Sequence, residues 1–285
     1  MTRFFVPGDG IHGERILLRG DDAHHAVRVL RLGPGDRFVA VGPDGGEYLV
    51  EFDRLEQGGS AVVGRVIAQR RAGREPRLRV TVAQALIKGD KFDQVVEKAT
   101  ELGAHAFWPF AAARSVVRLD PARAGERVAR WQRVAAAAAR QSGRVRVPGV
   151  GPVLGFAELV ERVAGWTAAH GPDSVVLAWE GETGRGLYDL MQDRWGPPGA
   201  APGADRSNQE PASPADLLLI VGPEGGFAAG EAHALRAAGA SPVSLGRLIL
   251  RTETAAPAVL AMILYHTGDL GRAPGLPETW NRTQG

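Results

Sequence analysis

The stretch "IVGPEGGF", Ile220 to Phe227, decides how the chain is read. Four apolar residues, Leu217 to Ile220, run into it as a buried strand would. Gly222, Pro223, Glu224, Gly225 and Gly226 follow, and then a helical pattern, "AAGEAHALRAAG", begins. A Gly-rich turn before a helix invites a phosphate-loop reading, because a helix N-terminus offers free N–H groups. The details argue against it. No Lys-Ser/Thr pair follows the glycines. No G-x-G-x-x-G follows the first strand. Glu224 would also repel phosphate. A neutral or cationic flat ligand fits better. Glycine lets backbone close on a ring such as adenine, and a carboxylate suits a cation or a ribose hydroxyl. A tight turn with an exposed Glu is the plainer alternative.

A second stretch, "SLGRLILRTETA", Ser244 to Ala255, lies twenty residues on. A strand ends at Leu245-Gly246 and a helix begins near Thr252. Between them stand Leu248, Ile249 and Leu250, then Arg251, Thr252, Glu253 and Thr254. Thr252 as helix cap, with Glu253 favoured by the helix dipole, accounts for two of these residues. It leaves Arg251 and the apolar triplet unexplained.

Working outward, residues 78–110 and 174–268 alternate strand-like and helix-like segments. "RLRVTVAQAL", "AHAFWPF", "SVVLAWE", "DLLLIVG" and "SPVSLG" read as strands. "DKFDQVVEKATELG", a long Ala-rich segment at 122–142, "GRGLYDLMQDRW" and "TETAAPAVLAMILYHTG" read as helices. That alternation predicts a parallel α/β sheet. Residues 1–74 instead read as short strands punctuated by Gly, Pro and Asp, the spacing of a small barrel. One small helix is expected there, capped by Asp21 or Asp22. The basic linker "RAGREP", Arg71 to Pro76, divides 1–74 from 75–271. Residues 196–215 carry Gly, Pro, Ala and Ser without periodicity and read as a flexible loop; 272–285 reads as a disordered tail.

The 285 residues contain no cysteine, so disulfides and thiolate metal sites are excluded and a reducing cytoplasm is the expected compartment. No apolar run approaches a membrane span, and the N-terminus lacks the apolar core of a signal peptide. The formal charge is only +2, but it is unevenly spread. Between Phe110 and Pro148 stand nine Arg (114, 118, 123, 127, 130, 133, 140, 144 and 146) against Asp120 and Glu126. So local a surplus points to nucleic acid.

"VGPEGGF" followed by "LGRLILRTETA" resembles the SPOUT superfamily of S-adenosylmethionine-dependent RNA methyltransferases. It resembles in particular the ribosomal small-subunit methyltransferase E group. "HHAVRVLRLGPGD" (24–36), "QALIKGDKFDQVVEKATELG" (84–103), "RSVVR" (114–118) and "RWQRVAAAAARQSGRVRVP" (130–148) agree with it. The resemblance implies an N-terminal PUA-like β-barrel at 1–74. It implies a C-terminal α/β domain at 75–271 with a trefoil knot, and methylation of N3 of one uridine in 16S rRNA. It also implies that three strand-end loops clasp S-adenosylmethionine, through Trp179 and Glu180, through Val221, Gly222, Pro223, Glu224, Gly225 and Gly226, and through Leu245, Gly246, Ile249, Leu250 and Thr254. Trp179 departs from the smaller apolar residue expected in the first loop. Uridine N3 must lose its imide proton while charge develops on the flanking carbonyls. Arg251 is the candidate for stabilising that charge, and Glu253 is a candidate base or a partner orienting Arg251. No metal is required.

At about 100° per residue, Arg130, Arg133, Arg140 and Arg144 fall within about 80° of arc on the long helix, an exposed stripe beside a face that buries Trp131. His25, Arg28, Arg31, Lys88, Lys91, Arg114 and Gln141 join this stripe as candidate RNA contacts. A solvated charged face is the alternative, though such faces usually mix signs. The apolar final helix and the family likeness together predict a homodimer. Two other functions remain open: methylation of another RNA or of a ribose 2′-oxygen, and RNA binding without catalysis.

Overall fold

The computed structural model describes residues 1–56, 60–71, 73, 75–115, 121–198, 215–272 and 280–282. The chain divides into two units. One holds residues 1–75, together with 139–146 and the described residues 280–282; the other holds 76–138 and 147–272.

The first unit is a curled sheet. Its strands are β1 (Arg3–Phe5), β2 (Ile11–His12), β3 (Arg15–Arg19), β4 (Arg37–Val41), β5 (Gly46–Glu56) and β6 (Ala61–Arg71). They lie in the order β1-β4-β5-β6-β3-β2, antiparallel except for β1 on β4. Register shifts at Leu49/Val50 and Phe52/Arg54 bend the long β5–β6 pair. Phe4, Ile16, Leu18, Phe38, Val50 and Phe52 fill the concave side. Helix α1 (Gly20–His24) runs into a π-turn at His25–Val29. Asp21 and Asp22 lie inside its first turn, so neither caps it, contrary to expectation; Arg19 stands at the cap position, its side chain turned to Asp9 and making no capping bond.

The second unit alternates as the apolar runs predict: β7 (Arg79–Ala85), α2 (Lys91–Leu102), β8 (Ala106–Phe110), α3 (Pro121–Ser142), β9 (Gly149–Val150), α4 (Phe156–His170), β10 (Val175–Ala178), α5 (Leu187–Trp195), β11 (Asp216–Val221), α6 (Ala229–Ala237), β12 (Ser241–Val243) and α7 (Thr252–His266). All six strands are parallel, in the order β12-β10-β11-β7-β8-β9. Both faces are covered, which is why the strands read as unbroken apolar runs. On β11, Leu217, Leu219 and Val221 pack with α2, α5 and α7, while Leu218 and Ile220 face the core of α4 and α6. On α3, Trp131 lies against Phe92 of α2 with ring centroids 4.0 Å apart. Helix α4 was not anticipated, although Leu159, Val163 and Trp166 recur at helical spacing.

Three observations revise the sequence reading. Residues 139–146 group with the first unit, because Arg144 is buried there against Glu75 at 2.5 Å. Glu75 also accepts the backbone N–H groups of Val145 and Arg146. Arg144 therefore does not belong to an exposed stripe. Within the expected disordered tail, Asn281–Arg282 forms a short strand, β13, on β6, and Arg70 lies 4.2 Å over the Trp280 ring. The expected loop at 196–215 falls mostly outside the described residues, as do Val116, Val117 and Arg118 of "RSVVR".

Candidate active site

Parallel strands end on one edge, and the loops leaving β10, β11 and β12 meet there beside the first turns of α2 and α7. They enclose a cleft of about 740 Å³. It is lined by Trp179 and Glu180, by Val221, Gly222, Pro223, Glu224, Gly225 and Gly226, and by Leu245, Gly246, Ile249, Leu250, Arg251 and Glu253. The two stretches singled out in the sequence thus line one cavity. Thr254 is exposed and does not line it. Arg247 and Leu248 line it as part of the third loop, Lys91 lines it although a phosphate contact was expected of it, and Ser244 and Thr252 line it without having been anticipated.

The "GPEGG" loop is a β-turn closed by the Gly226 N–H donating to the Pro223 carbonyl at 3.0 Å. Gly226 has φ of 67°, which favours glycine, and a Cβ there would also displace the Glu180 carboxylate. The Glu224 carboxylate accepts the Lys88 backbone N–H at 3.1 Å and lies 3.8 Å from the Lys91 ammonium. It ties the loop to the entry of α2. The Gly222 carbonyl accepts the Thr252 hydroxyl at 2.6 Å, and that hydroxyl in turn accepts the Gln84 amide at 3.1 Å. Thr252 therefore fastens α7 to the ends of β7 and β11 and is not a cap; Arg251 occupies the cap position. Gln84, fully buried within the run "VTVAQAL", is the polar signal that marked this junction.

Glu253 stands in the first turn of α7, its Oε1 at 3.3 Å from the Lys91 ammonium. Its Oε2 is buried and has no hydrogen-bond partner among the described residues. The helix-terminal N–H of Glu253 itself, and then Lys91 and Arg251, hold its carboxyl below the ordinary glutamate range. The Arg251 side chain is exposed and makes no hydrogen bond or ion pair among the described residues. Leu248 and Ile249 are 80% and 88% exposed, an unusual state for two adjacent large apolar side chains.

The remaining candidates are spread over both units. His25, Arg28 and Arg31 are exposed in the first unit, and Gln141 is exposed at the end of α3. Arg140 lies 3.9 Å from Asp22, whose carboxyl is pushed up by burial against the opposing pull of Arg140 and His25. In the second unit Lys88 and Arg133 are exposed, while Arg130 is exposed but bound to Asp93 at 2.8 Å. Arg114 donates to the Gly225 carbonyl at 3.0 Å.

The sequence pattern of the RNA methyltransferase domain family matches residues 74–264, and that of the RNA methyltransferase PUA domain matches residues 18–55. The chain is 36% identical over 250 residues to Ribosomal RNA small subunit methyltransferase E of Bacillus subtilis (strain 168), covering 88% of this chain and 90% of the relative. It is 36% identical over 253 residues to the protein of the same name from Mycobacterium tuberculosis (strain CDC 1551 / Oshkosh), covering 88% and 86%. A crystal structure of Ribosomal RNA small subunit methyltransferase E from Neisseria gonorrhoeae bound to S-adenosyl methionine superposes with a TM-score of 0.71 at 26% identity. That alignment covers 93% of this chain and 97% of the other.

Proposed function

The chain belongs to the ribosomal RNA small subunit methyltransferase E family of S-adenosylmethionine-dependent RNA methyltransferases, and from that premise we propose that it methylates N3 of a uridine in the 16S rRNA. The observation that carries the reading is the cleft at the ends of β10, β11 and β12.

The residues present fit the cofactor. The volume lies in the range of small-molecule sites. Trp179, Leu245, Ile249 and Leu250 offer apolar surface for a flat ring, and Glu180, Glu224 and Glu253 offer carboxylates to a cation or to hydroxyl groups. When bound, S-adenosylmethionine supplies a methyl group activated on a sulfonium. The protein's part is then to hold uracil in line and to favour loss of its imide proton. Arg251 and Lys91 place two positive charges in the cleft, and these stabilise negative charge on the uracil carbonyls. Glu253 is a weakened base, so its pairing with Lys91 suits orientation better than proton abstraction. Its unpartnered Oε2 provides an acceptor for a ligand N–H or O–H.

Each unit offers its own RNA phosphate contacts: Arg28, Arg31, Arg140 and Gln141 in the first, and Arg133, with Arg130 once it exchanges Asp93 for phosphate, in the second. A homodimer accounts for the exposed Leu248 and Ile249 and for Met262 and Tyr265 on α7. Among the described residues no helix is long and apolar enough to cross a membrane. The cytoplasm, where small subunits assemble, is the proposed place of action.

Two measurements test the function. Calorimetry with S-adenosylmethionine should give saturable binding. Nucleoside mass spectrometry of 16S rRNA from cells lacking the protein should show loss of N3-methyluridine. Loss of a ribose 2′-O-methyl mark instead would replace the proposed target, and absence of cofactor binding would leave only an RNA-binding role.

A further inference from the structure

The segment after β8 and the "GPEGGF" loop are built against each other. At their base Phe110 and Phe227 stack with ring planes 4° apart and centroids 6.2 Å apart. The β8 segment then makes a tight turn, in which the Ser115 hydroxyl accepts the Ala112 N–H and the Ala112 carbonyl accepts the Ser115 N–H. Glu231 of α6, 8% exposed, fixes this turn from behind. One carboxylate oxygen accepts the Ala113 N–H at 2.7 Å, and the other accepts the Ala228 N–H at 3.0 Å. From that rigid support Arg114 extends over the loop and donates through Nη1 to the Gly225 carbonyl at 3.0 Å. A Cβ on Gly225 would lie 3.3 Å from Arg114 Cβ, so the missing side chain is what permits the approach.

We propose that Arg114 is a positioning residue of the cofactor loop, holding the Gly225 carbonyl so that the turn from Pro223 to Gly226 is already shaped before S-adenosylmethionine enters. The inference rests on the reading of the cleft as the S-adenosylmethionine site. Glu224 ties the turn to Lys88 and Lys91 on one side, and Gly225 ties it to Arg114 on the other. Removing one of these ties leaves the loop to be ordered at the expense of binding. Arginine suits this role because a charge-assisted N–H to a carbonyl is stronger than a neutral bond. Its remaining N–H groups have no partner among the described residues, so the same side chain offers donors to the ligand or to RNA.

The test measures S-adenosylmethionine binding by calorimetry in the absence of RNA, for the wild type, Arg114→Ala and Arg114→Lys, with melting temperatures alongside. Wild-type binding settles the site itself, and failure there overturns the functional reading rather than this one. Given wild-type binding, Arg114→Ala is expected to raise Kd by about tenfold with the melting temperature nearly unchanged, since Arg114 is exposed. Arg114→Lys should recover part of the loss, because an ammonium also donates to a carbonyl. Glu231→Gln, which weakens the support behind the turn, should raise Kd in the same direction. Unchanged cofactor affinity in Arg114→Ala, with or without weaker RNA binding, overturns the proposal and leaves Arg114 a phosphate contact.

Discussion

The ammonium of Lys91 lies 3.3 Å from the carboxylate of Glu253, the two side chains meeting from the first turns of α2 and α7. The position favours Glu253 as an anion, because the N-terminus of α7 adds its own partial positive charge. Lys91 gains no such help from α2, so the pair depends on the contact itself.

That relationship gives stability a pH dependence with a definite sign. Glu253 is held below its ordinary value by its own helix-terminal N–H, and then by Lys91 and Arg251. A carboxyl with a lowered folded-state pKa contributes stability above the ordinary value of about 4.3 and loses it as pH falls through the lowered value. Wild type should therefore melt above Glu253→Gln near neutrality, and the gap should close under acid. Thermal scans between about pH 3 and 7 check this. A gap that widens on acidification would contradict the assignment.

Arg251→Ala is expected to separate chemistry from folding. The guanidinium is exposed and unbonded among the described residues, so the melting temperature should stay near wild type. Cofactor affinity should also hold. Single-turnover methyl transfer should fall by about 10²–10³, the scale for one lost charge-stabilising donor. Arg251→Lys should rescue little, because a point charge does not reproduce the forked guanidinium. A normal rate would move the charge-stabilising role to Lys91.

Thr252→Val keeps the shape of the side chain and deletes its hydroxyl. The Gly222 carbonyl loses its close donor at 2.6 Å and keeps only the Gln84 amide at 3.4 Å, while that buried amide loses one of its acceptors and keeps the Ala85 and Gly222 carbonyls. The expected cost is about 1–3 kcal/mol in denaturant unfolding, with Thr252→Ser close to neutral. Equal stabilities for the Val and Ser variants would show that the hydroxyl plays no part in joining α7 to β11.

Arg130, Arg133 and Arg140 of α3 should behave differently from Arg144, which follows the helix. Replacing Arg130, Arg133 and Arg140 together by Ala should lower the log–log salt slope of RNA binding by about 2–3, at roughly 0.7–0.9 per phosphate contact. Arg144→Ala should leave the slope unchanged and instead destabilise the protein by about 2–3 kcal/mol, since it strips Glu75 of a buried partner. A slope change in Arg144→Ala without a stability change would reverse this division.

The amino-acid sequence by itself determined the layered α/β unit. Leu217 to Val221 and Val175 to Ala178 are apolar on both faces, a pattern that needs covering on both sides. It also drew attention to both stretches that line the cleft, because a tight turn accounts for the glycines and Glu224 taken alone but not for the apolar triplet before Arg251. Local pattern could not say which distant groups meet. Periodicity placed Arg144 beside Arg130 and Arg133, yet Glu75, 69 residues away, takes it out of solvent. Thr252 looked like a cap until the chain brought it to Gly222 and Gln84, and Lys91 read as a phosphate contact until it met Glu253. Trp280 and the short strand after it sat in a segment with no periodicity and became ordered only where β6 extends past β3. Periodicity reports which face of an element is apolar, whereas the partner of a polar group depends on which strands lie side by side. Only the tertiary structure decides that, because a buried donor or acceptor must be satisfied by whatever the fold places next to it.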